Sequence, residues 1–158
     1  MGLSVFYCNN WFRLKRIAIG PMNEQAARAK HLAGKSYVAL IGSDSQPSCF
    51  VEMLIDKKMV GVGFLDDKGR EYLTYQFKYI DAEKLFLTMA THREYYGDED
   101  KVVSGTSYIF KENGELIIRR EGFNPHNLEK SKSTFDPVGN YENAPEFGKY
   151  SGVVKLNR

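Results

Sequence analysis

Histidine and cysteine are the residue types in this sequence that could perform acid–base, nucleophilic or metal chemistry. The chain contains three histidines and two cysteines. His31, His92 and His126 are far apart, and none lies at metal-ligand spacing from another histidine or from a cysteine. No Walker loop, dinucleotide fingerprint or nucleophile elbow occurs. The sequence therefore predicts no metal ion and no cofactor, and leaves open only a site that folding alone would assemble.

His92 and Glu94 form the one pair that could support general-base catalysis. They lie two positions apart in a β-rich segment, so their side chains project from the same face of a strand. A carboxylate beside an imidazole can orient that imidazole as a base. The pattern favours the other interpretation, a polar pair on a solvated face, and Cys49 is interpreted as a small buried hydrophobic residue. We therefore predict that the protein is not an enzyme.

Two segments that combine aromatic side chains with carboxylates predict a protein-binding surface. Tyrosine is enriched at binding hot spots, and carboxylates steer and pair with a basic partner. The segments are Tyr95–Asp100 and Tyr141–Phe147. The predicted partner-binding residues are Tyr95, Tyr96, Asp98, Glu99, Asp100, Tyr141, Glu142, Glu146 and Phe147. The alternative is that the tyrosines pack against the rim of the fold while the acids keep a turn soluble.

The basic run Trp11–Arg16 interleaves aromatic and basic residues, which suits base stacking and phosphate contacts. The same run fits an amphipathic strand whose basic residues face water. The net charge of the whole chain is only +2, too small to imply a nucleic-acid partner by itself. The sequence therefore does not favour nucleic-acid binding.

The composition is that of one globular domain. The chain has 158 residues, of which 42% are hydrophobic and 27% charged, and we expect a single domain over residues 1–158. No apolar run approaches the ~20 residues of a membrane helix. Leu3–Cys8 has no basic region before it, unlike a signal peptide, and two cysteines make no disulfide framework. We expect a cytoplasmic protein without membrane attachment.

The elements that must position the two segments are mainly β-strands. A stripe of small apolar residues at helical spacing predicts one helix between Gly20 and Gly34. Eight stretches rich in Val, Ile, Tyr, Phe and Thr predict strands: Ser36–Ile41, Cys49–Asp56, Met59–Leu65, Glu71–Ile80, Lys84–Tyr95, Lys101–Lys111, Glu115–Glu121 and Lys149–Leu156.

Short polar turns such as Asp66–Gly69 and Glu112–Gly114 require neighbouring strands to be antiparallel. The predicted fold is an antiparallel meander of about seven to eight strands, which would coil or close into a β-barrel. The helix would cover this barrel. Asn124–Lys130 is predicted to form a short helix, because Pro125 suits a first helical turn. A long irregular segment, Asp136–Phe147, follows.

This overall plan resembles that of small bacterial immunity proteins, which neutralise a cognate secreted toxin in the cytoplasm of the producing cell. The resemblance rests on a single domain without a catalytic constellation and on the segments Tyr95–Asp100 and Asp136–Phe147. It implies a protein partner, the cognate toxin domain, whose basic groups would pair with the carboxylates of those segments.

The alternative is a lipocalin-like barrel that binds a small apolar ligand, although the sequence lacks the GxW motif of typical lipocalins. A ligand carrier would keep room inside by turning four small residues inward, namely Gly61, Gly63, Ser104 and Thr106. An interaction module would fill its interior with four large residues, namely Leu73, Tyr75, Phe77 and Phe110.

Overall fold

The computed structural model describes residues 4–156. The predicted helix is present as α1 (Glu24–Leu32), and short 3-10 helices span Ile55–Lys57 and Pro137–Asn140. The strands are β1 (Val5–Phe12), β2 (Ile17–Met22), β3 (Tyr37–Ile41), β4 (Cys49–Leu54), β5 (Met59–Leu65), β6 (Glu71–Tyr79), β7 (Lys84–Tyr95), β8 (Val102–Phe110), β9 (Glu115–Gly122), β10 (Asn127–Thr134) and β11 (Tyr141–Asn143).

All eleven strands belong to one antiparallel sheet, in the order β10-β9-β8-β7-β6-β5-β4-β3-β1-β2, and β11 pairs with the first residues of β7. The predicted mainly antiparallel meander with one helix in its N-terminal half is thus confirmed. Closure into a barrel is not confirmed, since within residues 4–156 the outer strands β10 and β2 do not pair with each other. The sheet also has more strands than the seven to eight expected.

Two strands precede the helix. β1 and β2 pair from Tyr7 with Met22 to Phe12 with Ile17. Only Trp11 and Phe12 of the basic run belong to β1, and its basic residues lie in the turn that follows, so the amphipathic-strand interpretation of the run is wrong. Pro21 lies inside β2, where the missing N–H is tolerated because β2 is an edge strand. The helix itself begins at Glu24.

Two elements predicted in the C-terminal part are wrong. Residues 127–134 form a strand beside β9 instead of continuing a helix from Asn124. Every residue of this strand is exposed, so no apolar stripe could hold a helix against the core, whereas the open edge of β9 offers backbone hydrogen bonds. The predicted strand Lys149–Leu156 is a turn, in which the Val153 N–H donates to the Tyr150 oxygen at 3.1 Å. Tyr150 and Val153 are both buried, at a spacing of three that a strand would not give.

The core lies on both faces of the central strands. A larger cluster, which includes Tyr37, Phe77 and Val153, packs beneath α1 and the C-terminal residues. A smaller cluster around Trp11 and Phe50 lies on the opposite face. β8, β9 and β10 contain no fully buried residue, so they extend from the core as a single layer of sheet.

Candidate functional site

The β1–β2 hairpin arches over the face that carries the smaller core cluster. β1 pairs with β3 only through Val5–Cys8, whereas its pairing with β2 continues to the end of the strand. Beyond Cys8 the hairpin leaves the sheet edge, and the Trp11 ring lies 6.3 Å from the Phe50 ring. This arch brings the hairpin turn, residues 13–16, to one end of the sheet.

Four strand connections lie at that same end, because successive antiparallel strands reverse direction. They join β3 to β4, β5 to β6, β7 to β8 and β9 to β10, over residues 42–48, 66–70, 96–101 and 123–126. The arched turn contacts them, since Arg16 Nε donates to the Gly69 oxygen at 3.1 Å. We call these four connections together with residues 13–16 the turn end. It contains most of the first predicted segment.

Two arginines connect the β7–β8 turn to the turns beside it. Arg16 belongs to the β1–β2 turn and Arg70 to the β5–β6 turn. The guanidinium of Arg16 forms an ion pair with Asp100. Arg70 Nη1 donates to the backbone oxygens of Gly97 and Glu99, at 2.8 Å in each case. The positive charge of Arg16 and the donors of Arg70 are therefore already engaged inside the molecule, and they fix the position of the turn.

Asp66 anchors this arrangement. Its Oδ1 accepts the backbone N–H groups of Lys68 and Arg70, and its Oδ2 accepts Arg70 Nε, all at 2.9 Å. Burial alone would raise the pKa of Asp66, but the hydrogen bonds from Arg70 and Lys68 outweigh it and hold the pKa below its ordinary value. The predicted turn over residues 66–69 is confirmed, and these bonds stabilise it.

The residues of the first predicted segment point in two directions. Tyr95 is half-buried, and its hydroxyl donates to the Glu71 backbone oxygen at 2.7 Å. Tyr96 is 63% exposed. Asp98 lies 3.5 Å from Lys68 Nζ and is largely exposed. The packed-rim alternative thus describes Tyr95, whereas Tyr96 and Asp98 are available to a partner.

Three large apolar side chains project from the turn end. Leu14 is 86% exposed, Tyr96 63% and Phe123 39%. They border two cavities of about 370 Å³ and 410 Å³ that share Val102. Leu14 and Tyr95 line the first cavity, while Tyr96 and Phe123 line the second. Together they form an apolar, partly aromatic surface. The β7–β8 turn in this surface is held in place by the bonds from Arg16 and Arg70.

The second predicted segment lies at the opposite end of β7. Tyr141 pairs with Phe86 near the start of this strand, and Tyr95 is its last residue. At a rise of about 3.3 Å per residue, Phe86 and Tyr95 are roughly 30 Å apart. The structure therefore does not bring the two predicted segments together.

Side chains of the second segment are largely engaged within the molecule. The Phe147 ring stacks on Tyr7 at 5.1 Å and lies 4.6 Å from the guanidinium of Arg28. The Glu142 carboxylate is 16% exposed and lies 3.5 Å from Lys155 Nζ. These two residues hold the C-terminal residues against the core.

Tyr141 and Glu146 are more accessible. The Tyr141 hydroxyl donates to Glu112 Oε1 at 3.0 Å, and this bond to the carboxylate raises the pKa of Tyr141. Glu146 is 77% exposed and lies 3.2 Å from Lys149 Nζ.

His92 and Glu94 share one face of β7, and both are exposed. Glu94 Oε2 accepts a hydrogen bond from Ser104 at 3.4 Å.

Among residues 4–156, no group of three or more His, Cys, Asp or Glu side chains is arranged to hold a metal ion. No helix in the same range has the length and apolar character needed to span a bilayer.

Neither the protein-family models, nor the curated proteins, nor the solved structures include a match to this chain. Sequence reasoning does not assign Leu14, Phe123 or Arg70 to a common surface. The basic run Trp11–Arg16 is the one signal for the arched turn, but only the sheet register shows where that turn lies.

Proposed function

We propose that this chain is a binding protein that holds another protein at the turn end, and that this partner is a toxin domain which it neutralises. The observation that carries the proposal is the group of exposed Leu14, Tyr96 and Phe123 side chains around two adjacent cavities. Exposed aromatic and aliphatic side chains clustered on one surface are typical of protein–protein interfaces. The partner's identity as a toxin rests on the resemblance to immunity proteins.

Preorganisation of the turns supports this proposal. Binding costs less conformational entropy when the contact residues are already held in place. The bonds from Arg16 and Arg70 hold the β7–β8 turn before any partner arrives. The backbone at Tyr96 is therefore held in place before binding, which lowers the entropic cost when Tyr96 acts as an anchor residue.

The exposed acids suggest the chemistry of the partner. Asp98 is 86% exposed, and Glu99 is exposed beside it. Carboxylates at the rim of an apolar patch raise the association rate of a basic partner more than they raise its affinity. A toxin with a basic surface around an apolar centre would fit this arrangement.

Core packing favours an interaction module over a ligand carrier. Tyr75 and Phe77 are buried in the larger cluster, so large residues fill the space a carrier would need. Gly61 and Gly63 face the other side of the sheet, opposite Gln76 and Thr74, and the Phe50 ring lies over Gly63. These two glycines therefore do not share an interior with Tyr75 and Phe77.

Isolation of the tagged chain from its source cells, followed by native mass spectrometry, tests the proposal. We expect a stoichiometric polypeptide partner that stops the growth of a test host when expressed alone, and growth that returns when this chain is co-expressed. A bound mass of a few hundred daltons in place of a polypeptide, or a polypeptide without toxicity, would contradict the proposal.

Variants then locate the interface. Y96A and F123A should each weaken binding about thirtyfold or more, since truncation of an anchor residue at a hot spot costs about 2 kcal/mol or above. L32A is a matched control, because Leu32 is 79% exposed on α1, away from the turn end. Partner affinity after replacement of both Glu142 and Glu146 by Gln tests whether the second segment takes part in the interface. Equal affinities for Y96A and L32A would remove the turn end from the interface.

A further inference from the structure

β10 leaves one side of the sheet open. It pairs with β9 from Asn127 with Gly122 to Thr134 with Glu115, and it is the outermost strand at its end of the sheet. All eight of its residues are exposed. An edge strand of this length presents a row of backbone donors and acceptors that can pair with another extended segment.

The two faces of this edge differ in charge. Lys130 and Lys132 project from one face, because they are two positions apart. Lys130 lies opposite Arg119 in the sheet register, but Arg119 lies 3.9 Å from Glu121 on the same face. Glu115 on that face lies 3.3 Å from Lys111 Nζ, so the two lysines are the cations of this face that no carboxylate neutralises. Within the described part of the chain neither lysine has an acidic partner within 4.0 Å. On the other face Glu129 lies opposite Arg120, so the charges there balance.

This pattern disfavours a second copy of the chain as the occupant. When an antiparallel strand pairs with its own copy about a two-fold axis, opposite residues lie on the same face and have numbers of the same parity. Of the registers that pair most of β10, one is centred on Lys130 and sets that residue against itself. The other is centred on Ser131 and sets Lys130 against Lys132. Like charges directly opposite each other destabilise a sheet.

We infer that β10 accepts an extended acidic segment of a partner protein as an added strand, with carboxylates at alternate positions beside Lys130 and Lys132. The lysines then exclude basic or self-pairing strands and select an acidic one. The backbone of β10 supplies affinity, while the charged face sets the register. This surface lies along the sheet edge and not at the turn end, so its test is independent of the proposed function.

The probe is a fluorescent synthetic peptide in which glutamate alternates with threonine. The comparator has the same composition, with its glutamates in one block and its threonines in another. We expect the alternating peptide to bind about tenfold more tightly than the comparator, since two cross-strand charge pairs depend on the spacing. We also expect slower amide exchange within residues 127–134 when it is bound. Equal binding of the two peptides, no binding, or unchanged exchange in β10 would overturn the inference.

Charge reversal supplies the second measurement. K130E/K132E should lose binding of the alternating glutamate peptide and gain binding of an alternating lysine peptide. K35E/K57E is the control with the same change in net charge, because Lys35 and Lys57 are exposed outside this edge, and its affinity should stay within about twofold of the parent. Equal losses in both double variants would show nonspecific electrostatic attraction and would overturn the inference. Circular dichroism of each variant confirms that the fold is intact.

Discussion

Arg70 Nη1 donates to the backbone oxygen of Glu99 at 2.8 Å, although the two residues are 29 positions apart in the chain. The Arg70 guanidinium also lies 4.9 Å from the centre of the Tyr95 ring. One side chain thus connects the β5–β6 turn to the β7–β8 turn. We expect the position of Tyr96 to depend on this connection.

R70K should loosen the β7–β8 turn. A lysine cannot reproduce the planar fork that contacts Asp66 and the two backbone oxygens. We expect a loss of about 1.5–3 kcal/mol in the free energy of unfolding, typical of hydrogen bonds to a charged group, and faster amide exchange over residues 96–101. R119K is the control, because the Arg119 side chain is 46% exposed. Equal exchange rates in R70K and the parent would show that other contacts hold the turn.

Phe147 and Tyr96 should behave in opposite ways, although both were predicted as partner-binding residues. F147A removes a ring packed on Tyr7 and under Arg28, so we expect a loss of about 2–4 kcal/mol in the free energy of unfolding. Y96A removes an exposed ring and should change that free energy by less than about 0.5 kcal/mol. Urea unfolding of both variants gives the comparison. A large loss in Y96A would mean that its ring supports the fold instead of a partner.

The stability of the fold should fall in mild acid because of His31. His31 Nδ1 lies 2.7 Å from the Tyr37 hydroxyl. Burial and the nearby charge of Arg28 lower its pKa below the ordinary value of 6.5. Since the unfolded chain binds this proton more readily, the stabilising contribution is complete above pH 6.5 and is lost as pH falls through the folded-state pKa. Urea titrations between about pH 8 and pH 5 measure this loss.

Two variants test the assignment to His31. H31Q should flatten the pH dependence in this window, because the titrating group is gone. R28Q should raise the pKa of His31 toward its ordinary value, because a nearby positive charge is removed, and should therefore reduce the loss of stability in acid. The titration of His31 followed by NMR measures this pKa directly. The same slope in H31Q and in the parent would assign the acid sensitivity to other groups.

The strands from β3 to β9 could be predicted because their side chains alternate and their turns carry specific residues. Asp66 and Gly69 fix one such turn, and Gly114, with φ of +91°, fits the predicted hairpin after Glu112. β10 could not be predicted, since its polar sequence carries no pattern of burial. Its conformation is decided by the edge of β9, which is a tertiary effect.

The candidate surface could be predicted only in part. The chemistry of Tyr95–Asp100 identifies the right hairpin, but not which side chains face outward. Asp100 pairs with Arg16, a residue 84 positions away, and no local pattern reports such a partner. Sheet register and the arch of the β1–β2 hairpin create these contacts, so they follow from the whole fold.

Cys8 and Cys49 should resist alkylation until the protein unfolds. Both are free and buried, and they belong to core clusters on opposite faces of the sheet, so they cannot form a disulfide with each other in the folded chain. Burial raises the pKa of each thiol to about 11. This lowers the reactive thiolate fraction at pH 8 by a factor on the order of 100. Iodoacetamide labelling should therefore follow urea unfolding, and C8A and C49A assign each site. Rapid labelling of either thiol in the native protein would mean that its side of the sheet opens locally.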